Sequence, residues 1–251
     1  MADLQIVVER LESELNTSGI PDYSGSHNGL QLENNGIVSR VGCAVDASFP
    51  VIEKAIAAGV DLLVVHHGLF WQGVRPLTGV NYRKYRFAVD HNLAIYSSHL
   101  PLDVHRELGN NVRLSRSLGL GDGEAFFDWK GISLGRRSQA DISVGELQDR
   151  LEEVLGSAVL LRGSRESSCG KVGIITGGAG SEVEAISREG IDTFVTGEGP
   201  HWSHPLAEEL GLTVLYGGHY ATETFGVKAL GEYLETHFGL PFCFIDHPSG
   251  L

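Results

Sequence analysis

Cysteine is scarce: Cys43, Cys169 and Cys243 are odd in number and far apart. Such a set builds no disulfide framework and fits a reducing compartment, so a cytoplasmic location is expected. No apolar run approaches the roughly 18 residues a membrane span needs. The start, Met1-Ala-Asp-Leu-Gln, lacks the basic head and apolar core of a signal peptide. No membrane partner is expected. Basic residues are also few: 19 Lys and Arg against 32 Asp and Glu leave a formal charge of −13. Nucleic-acid backbones attract clustered Lys and Arg, so nucleic acid is not an expected partner. The short basic patches, Arg83-Lys84 with Arg86 and Arg136-Arg137, read as solvated faces. Glycine, by contrast, is abundant, 33 of 251 residues, which calls for many tight turns and close backbone approaches. The length allows one large α/β domain or two smaller ones.

The stretch Asp61-Leu-Leu-Val-Val-His66-His67-Gly68-Leu-Phe70-Trp71 organises the rest. Leu62 to Val65 reads as a buried strand of a parallel sheet. Neighbouring side chains inside a strand point apart. At its carboxyl end, where Gly68 lets the backbone turn, both imidazoles can reach one point. Open α/β sheets place ligands at that edge, and neutral imidazole is the commonest transition-metal ligand. On the dipeptide alone, two histidines in a solvated turn is an equal reading.

Around it the chain alternates strands and helices. Asp3 caps a helix through Leu4, Val7, Val8, Leu11 and Leu15; Gly19 to Glu33 is irregular and contains Asn28-Gly29. Val41–Val45 is a strand ending at Asp46. Ser48 caps the next helix, and the histidine strand completes a βαβ unit. Tyr82 to Asn92 reads as a helix and Leu93–Ser97 as a strand running into His99-Leu-Pro-Leu-Asp103. A helix over 107–118 follows, then a glycine-acidic break at Gly119 to Gly123. Ser143-Val-Gly-Glu146 and Ser181-Glu-Val-Glu184 read as capping boxes. Ala158–Leu161, Lys171–Thr176, Asp192–Thr196, Thr213–Tyr216 and Leu240–Ile245 read as strands. A helix from His219 to about His237 precedes the last.

Three strand ends therefore carry ligand-type residues: His66 with His67, His99 with Asp103, and His219 with Glu223. Residues four apart on a helix share a face. This mixed His and carboxylate set exceeds what one tetrahedral zinc takes. Two ions about 3.5–4 Å apart use it naturally, a recurrent hydrolytic design. With no cysteine in the set, Zn, Fe, Mn or Ni fit. The bland alternatives stay open residue by residue. His99 can be a core histidine bonded to a carbonyl, Asp103 a helix cap, and His219 with Glu223 an exposed helical pair. His105, His201 and His204 read as surface or loop residues, and His91, His237 and His247 as surface. The loop Thr176-Gly177-Gly178-Ala179-Gly180-Ser181 sits where backbone N–H groups can hold phosphate, but it lacks a P-loop Lys-Ser/Thr, and a tight turn is the simpler reading. Glu198, after Thr196-Gly197, can orient a ligand, face a substrate or face solvent.

These motifs carry a resemblance. Asn28-Gly29-Leu30-Gln31, Val65-His66-His67-Gly68 with Phe70-Trp71, His99-Leu-Pro-Leu-Asp103 with Leu108-Gly-Asn-Asn111, Thr196-Gly197-Glu198 and Gly218-His219-Tyr-Ala-Thr-Glu223 resemble the YbgI-type dinuclear metal-centre hexamers. That family is often called type 2 GTP cyclohydrolase I homologues. The match runs in order along nearly the whole chain. It implies two divalent transition-metal ions per subunit with His66, His67, Asp103, His219 and Glu223 as ligands. Asp103 or Glu223 would bridge, and His99 would lie in or beside the ligand set. It implies a toroidal homohexamer and two α/β domains with mixed, largely parallel sheets, the second inserted into the first. A metal-binding domain over 1–125 is then completed by 208–251, and 126–207 is the insert. The chain departs from the pattern at Ser24 to His27 and at His201 to Pro205, which bears on substrate contacts.

Two functions are carried forward. One is a metal-dependent hydrolase acting on a nucleotide or similar small molecule, with His99 and Glu198 as candidate proton shuttles. The other is a non-catalytic hexamer that stores metal or scaffolds a partner.

Overall fold

The computed structural model describes residues 1–250. The chain is α/β and forms two compact units. One comprises Met1–Leu102 with Gly226–His247; the other comprises Asp103–Phe225 with the tail from Pro248. In chain order the second interrupts the first.

In the first unit β1 (Ala2–Asp3) pairs antiparallel with β3 (Ile37–Val38). Asp3 caps α1 (Leu4–Glu14), accepting from the N–H groups of Gln5 and Ile6 at 2.9 and 3.2 Å. The main sheet runs β13 (Phe242–Phe244), β4 (Val41–Asp46), β5 (Leu62–His67), β6 (Ala94–Ser97) and β2 (Gly29–Leu32). All neighbours are parallel except β2, the antiparallel edge strand. β5 is buried throughout. Its Leu63 and Val65 pack with Ile52 and Ala55 of α2 (Phe49–Ala57), Ala88 of α3 (Gly79–Asp90) and Ile95. Ser48 stands at the N-cap of α2 without a side-chain cap bond. Pro50 within the first turn already lacks one of the donors a cap would satisfy. Because β4, β5 and β6 run parallel, their carboxyl ends share one edge. The register sets Asp46 beside His67 and Ser97 beside Val65.

The chain enters the second unit at the end of α4 (Leu100–Asp103), and α5 (Asn110–Ser117) starts three residues later than expected. The second sheet runs β7 (Glu124–Trp129), β8 (Ile132–Ser143), β10 (Ser168–Ile174), β11 (Thr193–Thr196), β12 (Thr213–Tyr216) and β9 (Leu160–Arg162). β10, β11 and β12 are parallel; the flanking pairings are antiparallel. The β7–β8 hairpin was not anticipated, because its strands are half exposed and the polar run Gly135-Arg-Arg-Ser-Gln139 interrupts the alternation of β8. Its turn is Lys130-Gly131, both at positive φ (52° and 85°), the backbone that two-residue hairpins favour.

One side of this sheet buries Leu147 and Leu151 of α6 (Val144–Leu155) with Leu114 of α5. The other buries Ile186 of α7 (Val183–Arg188) and Ala207 of α8 (Ser203–Glu209). Ser143 does cap α6, accepting from Glu146 N–H at 3.1 Å. The second expected capping box does not form. Ala179–Glu182 is a 3-10 turn, α7 begins only at Val183, and Ser181 Oγ donates to Glu182. The tight turn has a cause: the Gly180 N–H is bound to Glu198 O at 2.9 Å, and any Cβ at Gly180 would press on Gly199 Cα.

The expected single helix from His219 is two, α9 (His219–Thr222) and α10 (Thr224–Phe238). The break is at Glu223, with φ −102° and ψ 6°. Among the described residues no helix is long and apolar enough to cross a membrane, and the three cysteines are free thiols.

Candidate functional site

In the first unit the carboxyl ends of β5 and β6 bring three histidines together. The ligand nitrogens of His66, His67 and His99 lie within 4.8 Å of one another, and all three residues are buried. Adjacent strand residues can converge here because His67 is the last residue of β5 and Gly68 follows. The Gln31 amide fills the space where a Cβ at residue 68 would sit, and Gln31 Oε1 accepts from Leu69 N–H at 2.6 Å.

Each imidazole is oriented from behind. His66 Nδ1 meets Ser98 O at 2.9 Å, His67 Nδ1 meets Asp46 Oδ1 at 3.0 Å, and His99 Nδ1 meets Asp22 Oδ1 at 2.8 Å. A carbonyl or carboxylate oxygen only accepts, so each Nδ1 carries the hydrogen and donates. In the neutral form of each ring the lone pair is thereby left on Nε2. This is how metal-bound histidines are held: the second nitrogen donates to an outer acceptor that fixes tautomer and orientation.

Asp22 is itself built in. Its carboxylate accepts from Asn28 Nδ2 at 2.8 Å and from the N–H of Leu100 at 3.0 Å, while Asn28 Oδ1 accepts from His99 N–H at 2.7 Å. Burial pushes the Asp22 carboxyl up, but the hydrogen bond and charge of His99, with Asn28 and the Tyr23 N–H, outweigh it and hold it below its ordinary value. The part-exposed Trp71 packs over His67 and His99, its ring centroid 4.7 and 4.5 Å from theirs.

In the second unit the ends of β10, β11 and β12 and the start of α9 assemble a second group. His219 Nδ1 meets Glu198 Oε1 at 2.8 Å, and His219 Nε2 meets Glu223 Oε2 at 3.2 Å. Glu223 is 3% exposed. Burial works against the charge on His219, yet Glu223 and Glu198 overcome it and push its pKa up to about 9. The carboxylate pair thus favours a cation at this point.

Gly177, at φ 70°, lies against the same pair, and a Cβ there would overlap Glu223 Oε1. The glycine loop is accounted for by this close approach. Its Thr176, Gly177 and Gly180 N–H groups are bound to Asn111 Oδ1, Thr222 Oγ1 and Glu198 O. Those amides are committed and do not form a phosphate cradle.

Asp103 ends α4, and the residue at the N-cap of α5 is Gly109. Asp103 is buried, with Oδ1 accepting from Asn110 Nδ2 at 2.8 Å. Asn111 donates to Asp103 O and Leu134 O at 3.2 and 2.7 Å and accepts from Thr176 N–H at 2.8 Å. It therefore ties Asp103 to the loop that abuts Glu223. His105 is structural: its Nδ1 accepts from the N–H groups of Glu107 and Leu108. His204 stacks on Tyr216 and accepts from Arg162 at 3.1 Å. His91, His201 and His237 are exposed.

The donor chemistry of both groups suits a divalent transition metal: buried imidazoles with fixed tautomers, and a buried carboxylate beside a histidine. The chain matches, over residues 2–249, the family model described as Duf34/NIF3 (NGG1p interacting factor 3). It belongs to the Duf34/NIF3 family. A relative from Deinococcus radiodurans, named GTP cyclohydrolase 1 type 2 homolog, is 38% identical over 98% of this chain and 93% of its own. One of the same name from Archaeoglobus fulgidus is 38% identical over 99% and 100%. Among solved structures, TTHA1606 from Thermus thermophilus shares 38% identity and a TM-score of 0.88, with both chains fully covered. Protein ybgI shares 31% identity and a TM-score of 0.89, again with both chains fully covered.

Two residues that orient the candidate ligands of this Duf34/NIF3 chain, Asp22 and Asp46, escaped the reading of its sequence. Asp46 was legible as a strand end whose parallel neighbour ends in His67. Asp22 carried no such signal, since its partner is 77 residues away.

Proposed function

We propose that this Duf34/NIF3 chain binds two divalent transition-metal ions through His66, His67, Asp103, His219 and Glu223, and that it is a hydrolase of a nucleotide or similar small molecule. The observation carrying this reading is the orientation of His66, His67, His99 and His219. Each donates its Nδ1 hydrogen to an acceptor-only oxygen and so directs Nε2 as a ligand. Two bound ions would supply Lewis acidity, activating water for attack and neutralising charge that develops on the substrate.

The chain's own residues do the rest. Asp46 and Ser98 O keep His67 and His66 in the ligating tautomer. Asp22 fixes His99 with its Nε2 lone pair toward the ligands, placed to take up or pass on a proton there. Glu198 orients His219 in the same way. Trp71 covers His67 and His99 and keeps bulk water from their faces. The resemblance to YbgI-type proteins further supports a toroidal homohexamer in the cytoplasm, which light scattering on the purified chain tests for assembly.

The deciding experiment is metal analysis of protein purified without chelator, beside a His67→Ala, Glu223→Ala double variant. About two ions per chain, lost in the variant, are expected, followed by hydrolysis in a screen of nucleotides and phosphoesters. Metal near zero in both would sink the reading; metal without any turnover would reduce it to storage or scaffolding.

A further inference from the structure

The second unit of this acidic chain contains a concentrated group of arginines. Arg113 Nε and Arg116 donate to one acceptor, the Glu107 carbonyl, at 2.8 and 3.4 Å. Their guanidinium groups therefore converge on Glu107, which directly follows Arg106 in the chain. Arg136 joins them from β8. Side chains on a strand alternate faces, so Arg136 shares a face with Ser138 and Ala140. Ala140 packs against the same core as Leu114 and Leu118, and Ser138 Oγ donates to Leu120 O at 3.0 Å. Arg136 thus lies on the α5 side of the sheet. Burial, and then the charge of Arg106, pushes its guanidinium pKa down; Asp122 opposes this and Arg116 adds to it.

Two carboxylates face the group. Asp122 is paired with Arg116 at 2.6 Å, and Glu107 acts on Arg116 through its charge. Arg106, Arg116 and Arg136 outnumber these two carboxylates, in a chain whose total charge is −13. Arg136 is half-buried, and neither its side chain nor that of Arg106 makes an ion pair or hydrogen bond among the described residues. Holding a partly desolvated guanidinium next to like charges is unfavourable. A multi-oxygen anion relieves it, because the planar guanidinium fork matches phosphate oxygens two at a time.

We propose that Arg106, Arg116 and Arg136 form a binding site for a phosphate-type oxyanion, built by β8 and the segment around α5. The site goes beyond the metal-dependent reading and requires neither ion nor catalysis.

Calorimetric titration of pyrophosphate into the full chain tests it, as purified and after chelator treatment, so that phosphate held by an ion is subtracted. Saturable binding is expected in both. Arg136→Gln and Arg106→Gln should each weaken it about tenfold or more, for the loss of one charge-assisted pair, with Arg136→Lys in between. Arg165→Gln should leave it unchanged, since Arg165 pairs with Asp149 elsewhere. Melting curves report whether each variant folds, and the exposed Arg106 serves if Arg136→Gln does not. No saturable binding at millimolar pyrophosphate, or equal binding by the variants, overturns the proposal. So does a result in which pyrophosphate fails to bind while the variants alter the association state in sedimentation, because the cluster is then a contact for a second copy.

Discussion

Gly177→Ala separates backbone strain from damage to the candidate site. Gly177 has φ 70°, and its missing Cβ is the space in which Glu223 Oε1 lies, with His219 Nε2 3.4 Å from the Cβ position. Gly211 has nearly the same backbone, φ 69°, with nothing within 4 Å of an added Cβ. Alanine at either position incurs the left-handed penalty of about 1–2 kcal/mol. For a chain of this size that lowers Tm by roughly 2–8 °C. Gly211→Ala should show that and nothing more. Gly177→Ala must also drive the Glu223 carboxylate from its rotamer, adding about 0.5–1.5 kcal/mol, and it takes Glu223 away from His219. Differential scanning calorimetry with metal analysis of the same samples reads both effects. The expected pattern is a larger Tm loss and reduced metal in Gly177→Ala, with metal retained in Gly211→Ala. Equal melting shifts with full metal in both variants would refute the close-approach account of the glycine loop.

Two further variants probe the supporting residues. Asp46→Ala removes the acceptor for His67 Nδ1; its side chain is 40% exposed, so Tm should hardly move while metal affinity falls about 10–100-fold, as measured by competition with a chromophoric chelator. Unchanged affinity would show that His67 needs no outer partner. Asn111→Ala deletes contacts to Asp103 O, Leu134 O and Thr176 and strands a buried N–H at Thr176; urea unfolding should show a loss of about 2–4 kcal/mol, and a loss below about 1 kcal/mol would mean the network relaxes around the gap.

Much of the architecture was legible locally. The unbroken, partly β-branched apolar run Leu62 to Val65 reads as a strand buried on both faces, and Asp3 and Ser143 are caps because their oxygens reach N–H groups two or three residues on. Legibility failed where local chemistry was ambiguous or overridden. Ser181 satisfies a capping pattern, yet the packing of Gly180 against Gly199 turns that segment into a 3-10 turn. The helix from His219 breaks at Glu223 although no glycine or proline marks the place. The β7–β8 hairpin shows little alternation because much of it faces solvent.

For the candidate site the same division holds. Residue type and position nominated His66, His67, His99, Asp103, His219 and Glu223, because ligand-type side chains at strand ends are a one-dimensional pattern. The sequence alone also determined the apolar runs that become buried strands and the glycines that permit tight approach. What only the tertiary structure decided is which oxygen stands behind each imidazole. Asp22 reaches His99 across 77 residues, and Asp46 meets His67 through the register of two parallel strands. Hydrogen bonds between distant segments are fixed by sheet order and loop path, and these depend on how the whole core packs rather than on any local run of residues.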